Sequence, residues 1–111
     1  NCYSIIMLNQ NLLNSWSKLS LIEQFGNIGS EVGRAGKWQN KDEARFYLAV
    51  EKTLELLDLT IRDNRWSNDA KKEAILAKEV FADAVLGGKE YKSSLSDLDK
   101  YFMQFALLAV K

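Results

Sequence analysis

Proline and histidine are absent from this 111-residue sequence, cysteine occurs once, at Cys2, and the glycines fall only within 26–36 and at Gly87 and Gly88. Without proline, nearly every segment is free to be helical, because no ring blocks the i→i−4 hydrogen bond. Without histidine there is no imidazole base, no thiolate–imidazole pair and no Glu-x-x-His motif of the kind that holds di-iron in helical bundles. A lone cysteine forms no internal disulfide and supplies no Cys/His zinc site, which fits a cytoplasmic address. Charge of one sign is also missing: fifteen basic and fifteen acidic residues cancel. Any attraction to nucleic acid or anionic lipid must therefore come from a local patch. Long apolar runs are absent too, and Ile5–Leu8 is far too short for a membrane span or signal peptide. Met7 is a candidate start, with residues 1–6 an upstream or vector-derived remnant.

What is present is helical periodicity in a chain that is 47% hydrophobic, enough for one core and one domain, 1–111. Ile5, Leu8, Leu12, Trp16 and Leu19 predict a short N-terminal helix. Ser20 with Glu23 has the spacing of a capping box, and a second helix begins there. Its apolar stripe is Leu21, Phe25, Ile28, Val32 and Ala35. Beside that stripe Gly26, Gly29, Gly33 and Gly36 advance by three, four and three residues, one line of the helix surface. Each glycine costs about 1 kcal/mol relative to alanine inside a helix, so this line calls for a close neighbour, either within the bundle or in an assembly.

A turn is expected at 36–41, with Asn40 and Glu43 repeating the capping-box spacing. The next helix places Tyr47, Val50, Leu54, Leu57 and Ile61 at heptad spacing, flanked by Phe46, Ala49, Thr53, Leu56 and Thr60. Leu48 and Leu59 fall among charged residues on the other side and suggest an intermolecular contact. Residues 63–69 break the pattern, and Ser67 or Asn68 caps a helix carrying Ala70, Ala74, Ala77, Phe81 and Ala84 that stops at Gly87 and Gly88. Ser94 with Asp97 opens the last helix, whose core face is Leu95, Leu98, Phe102, Phe105 and Ala109, broadened by Tyr101 and Leu108. The expected fold is all-α: an antiparallel four-helix bundle with a short extra N-terminal helix.

No residue set supplies a nucleophile with its base, so the chain is expected to be no enzyme, with no cofactor and no metal. Carboxylates such as Glu51, Glu55, Asp58, Asp97 and Asp99 read as solvated helix faces. The constellation that suggests a contact is Arg34, Lys37, Trp38, Lys41 and Arg45 around the first turn: cations neutralise phosphates, and an exposed indole stacks on an unpaired base. Arg62, Arg65, Trp66, Lys71 and Lys72 form a weaker echo. The plainer reading of both sets is that the tryptophans plug the bundle ends and the charges solvate its surface.

The stretches NIGSEVGRA (27–35) and EARFYLAVEKTLELLDL (43–59) resemble the small bacterial four-helix-bundle family of 23S ribosomal RNA intervening-sequence proteins and retroelement accessory variability determinants. Asn27, Ile28, Gly33, Arg34, Phe46 and Leu54 carry the resemblance, over about a third of the chain. Gly26 stands where that family has proline, and the last helix is additional. The resemblance implies a ring-like homo-oligomer that contacts nucleic acid. The functional expectation is a non-enzymatic, self-associating accessory bundle touching RNA or single-stranded DNA through its basic turn. The alternative is a protein-binding adaptor with no nucleic-acid activity.

Overall fold

A computed structural model describes residues 14–109, in which four helices follow one another: α1 (Leu21–Trp38), α2 (Glu43–Ile61), α3 (Asn68–Val85) and α4 (Leu95–Ala109). The fold is an all-α bundle. Most of the expected N-terminal helix, together with Cys2, Met7 and residues 1–6, lies outside the described residues; residues 14–16 are helical and end in a turn at Ser17.

Capping chemistry sets the helix starts. The Ser20 hydroxyl accepts from the Glu23 N–H at 3.1 Å while the Glu23 carboxylate accepts from the Ser20 N–H at 3.0 Å, and these bonds hold the Glu23 carboxyl below its ordinary pKa. Ser94 and Asp97 exchange the same pair of bonds at 3.0 and 3.1 Å at the start of α4. Ser67, rather than Asn68, caps α3 by accepting from the Ala70 N–H. At the other end of α3, Gly88 donates to the Asp83 carbonyl and Gly87 to that of Ala84, a Schellman closure with φ of 71° and 117° at the two glycines.

The first turn differs from its expectation. Helix α1 continues through Gly36 to Trp38, so the turn is 39–42, and Asp42 rather than Asn40 caps α2, accepting from the Arg45 N–H at 3.1 Å. Asn40 reverses the chain at φ 63°, a conformation asparagine tolerates; an N-cap needs extended backbone, which Asp42 has at φ −146°.

Around one contiguous core, α1 packs most extensively on α4 and then on α2, α2 packs on α3, and of these four pairings α3 on α4 is the slightest. Gly29 faces Phe102, Gly33 faces Asp99 and Gly36 faces Leu95, so α1 and α4 run in opposite directions. Phe25, Ile28, Val32 and Ala35 fill the core from α1, Phe81 with Ala74, Ala77 and Ala84 from α3, and Leu95, Leu98 and Phe102 from α4. Phe25 packs on the rings of Phe102 and Phe105, with Tyr101 edge-on to both.

Three expectations about faces are corrected. On α2 both lines are buried, Phe46, Ala49, Thr53, Leu56 and Thr60 together with Val50 and Leu57 of the heptad line, and the exception is Tyr47, which is 52% exposed. Leu59 is buried, not solvent-facing, because the segment leading into α1 crosses this end of α2 and lines a hollow with it through Asn14, Trp16 and Ser17. Leu108 is half exposed; α4 buries Leu95, Leu98 and Phe102, earlier in the helix. Leu48 is exposed, as its position predicts.

Candidate functional site

The glycine line is the seat of α4. A methyl added at Gly29 would lie 2.6 Å from the Phe102 Cβ, and one at Gly33 3.1 Å from an Asp99 carboxylate oxygen; at Gly36 the nearest atom, the Leu95 Cβ, is an ordinary 3.7 Å away. Gly26 and Gly29 are buried, and with Gly33 they line a small recess of about 100 Å³ against Asp99, Phe102 and Met103. The line is thus occupied within the chain, by α4.

At the basic turn, Arg34, Lys37, Lys41 and Arg45 are all exposed and gathered at one end of the molecule, but Trp38 is half-buried against the core. The Arg45 guanidinium lies 4.6 Å and the Lys37 ammonium 5.0 Å from the Trp38 ring centre, so the chain's own cations already sit on the indole. Arg34 pairs with Glu31, and Arg45 also approaches Asp42 at 3.6 Å. Next to this turn a polar hollow of about 480 Å³ opens between Gln39, Asn40, Lys41, Glu43, Phe46, Tyr47 and Val85.

The second tryptophan patch is tied into the fold. Gln24, fully buried and not singled out from the sequence, uses every hydrogen-bonding position it has: its amide donates to the Trp16 carbonyl (3.0 Å) and to Asp63 (3.1 Å), and its oxygen accepts from the Thr60 hydroxyl (3.0 Å) and the Trp66 indole (2.9 Å). The Trp16 indole completes the network by donating to Thr60 at 3.1 Å. Arg65 clamps Asp63 and donates to the Leu19 carbonyl at 2.8 Å, while its guanidinium covers Trp66. The Arg65 hydrogen bonds hold the Asp63 carboxyl down at about 2. Trp66 and Arg65 therefore close the bundle end. The sequence signal for Gln24 was its register: it lies four residues before Ile28, a polar side chain on the apolar face of α1.

The remaining feature is the seam where α3 stands off α4. It is an open cleft of about 210 Å³ lined by Leu76, Ala77, Val80, Leu98 and Tyr101, with Ser93, Glu73 and Asp97 at its edges. Leu76 is 48% exposed. Burial and a hydrogen bond to Glu73 push the Tyr101 hydroxyl well above its ordinary pKa, so it remains a neutral donor to that carboxylate.

Among the described residues, no helix is long and apolar enough to cross a membrane, and no three acidic, histidine or cysteine side chains come together in a way that could hold a metal ion. No protein-family model, curated protein or solved structure matches this chain.

Proposed function

We propose that this chain is a non-enzymatic protein-binding module that docks its partner on the α3–α4 seam. The observation that carries the reading is the open apolar cleft between Leu76, Val80, Leu98 and Tyr101, at the seam where α3 stands off α4. Apolar clefts edged by a few polar groups are where binding sites form. The non-enzymatic reading rests on the sequence, which has no histidine and no nucleophile set beside a base. A cytoplasmic setting and self-association belong to the same proposal. The first rests on the near absence of cysteine, the second on the exposed Leu48 and on the resemblance of residues 27–59 to the intervening-sequence family.

A photo-crosslinking residue placed at Leu76 in the cell that makes the protein should trap a discrete adduct that one placed at Asn27, on the exposed face of α1, does not. No adduct at Leu76 would remove the docking reading.

The gathering of Arg34, Lys37, Lys41 and Arg45 supports a second reading, contact with RNA or single-stranded DNA. Salt-dependent binding of a labelled single-stranded RNA, abolished in the Arg34→Ala, Lys37→Ala, Arg45→Ala triple variant, would establish it; no binding at low salt would end it.

A further inference from the structure

We propose that the partner seated in the α3–α4 seam is an amphipathic helix whose apolar face is flanked by lysine or arginine. This inference rests on the docking reading above and adds the chemistry of the occupant.

Size argues for side chains of a larger partner rather than a small molecule. At about 210 Å³ the cleft is smaller than pockets for drug-sized ligands, which run to roughly 300–1,000 Å³. It is also bordered on one wall by the exposed Leu76. A groove between two helices accepts a third helix, whose side chains at i, i+3 and i+4 enter as anchors.

Charge argues for the sign. The charged residues lining the cleft are both acidic, Glu73 on α3 and Asp97 on α4. Neither forms an ion pair among the described residues: the Tyr101 hydroxyl donates to Glu73, and the Asp97 carboxylate accepts from the Ser94 N–H, with Lys100 near enough to act on it through space. Farther along the α3 side, Glu79 accepts from the Tyr91 hydroxyl, and Asp83 takes the Glu90 and Tyr91 N–H groups at 3.1 and 3.0 Å. Negative charge around Tyr91 from Glu79, Glu90 and Asp83 helps hold its hydroxyl above the ordinary pKa. A helix with basic flanks meets this rim with complementary charge, and one with acidic flanks meets repulsion on both walls.

The test uses the full chain, isotopically labelled for NMR, with two synthetic helical peptides of about 18 residues. Both carry leucine on one face; the flanks are lysine in one and glutamate in the other. The lysine peptide should shift resonances of Leu76, Val80, Leu98 and Tyr101 and bind at least about tenfold more tightly at low salt than the glutamate peptide. Glu73→Gln keeps an acceptor for Tyr101 and removes the charge, and it should weaken the lysine peptide about threefold. Leu76→Ser, at a half-exposed site, should fold normally and lose the shifts. Equal affinity of both peptides at the seam would overturn the basic partner and leave the docking site standing. Shifts centred elsewhere, or none with either peptide, would overturn both.

Discussion

Helices α1 and α3 are both amphipathic, both eighteen residues long and both capped by serine, yet their surroundings are opposite. Helix α1 is enclosed: α4 lies on its glycine line, α2 on its other flank, and Gln24 stitches its first turn to Trp16, Thr60, Asp63 and Trp66. Helix α3 buries small alanines, is tied to α2 through a Lys78–Asp58 pair at 2.6 Å whose groups are both substantially exposed, and stands off α4. Close backbone approach and a saturated polar network already occupy the glycine line and the apolar face of α1. The open side is where binding can occur without first breaking something.

The sharpest way to break this contrast is to put a side chain on the closed side. Gly29→Leu would drive carbon into Phe102, where even a methyl is too close, and should cost about 3 kcal/mol or more, read as a lowered urea midpoint or failure to fold. An unchanged midpoint would show that α4 does not seat on the glycine line.

Gln24→Ala comes next. It deprives the Thr60 hydroxyl and the Trp66 indole of their acceptor and opens a cavity, at about 2–3 kcal/mol in the same denaturation experiment. A loss under about 0.5 kcal/mol would mean the network contributes no more than a surface contact.

The smallest effect is pH-dependent. Asp63 has a carboxyl lowered in the folded state to about 2 from an ordinary 3.8, so the folded chain holds its proton less tightly than the unfolded one. Its contribution, about 1–2 kcal/mol, is complete above about pH 5 and is lost as pH falls through 4 toward 2. Asp63→Asn should flatten that part of the acid limb, while leaving the α3–α4 seam untouched. An identical acid limb in the variant would place the titrating group elsewhere.

Much of this was legible residue by residue. Serine–acid pairs three apart, paired glycines after an apolar run and a one-line glycine stripe are local signals, because capping and helical geometry act within one or two turns. Tyr47, Leu59 and Asn40 were misplaced for reasons that are not local. Tyr47 begins an α2 face that is otherwise buried or half-buried, and it opens onto the hollow beside the first turn; Leu59 depended on a segment some forty residues earlier; and Asn40 and Asp42 both carry capping side chains, with backbone reversal deciding between them.

The sequence by itself therefore determined that the chain is helical, where most helices begin and end, and that α1 needs a close neighbour, since these follow from hydrogen bonding and side-chain spacing along one segment. Only the tertiary structure decided which helix fills the glycine line, that Gln24 is the hub of a buried network, that Trp38 is already covered by Arg45 and Lys37, and that α3 and α4 leave a cleft with acidic edges. Those outcomes depend on how distant surfaces meet, and a packing mismatch between two helices, unlike a cap, is written in neither helix alone.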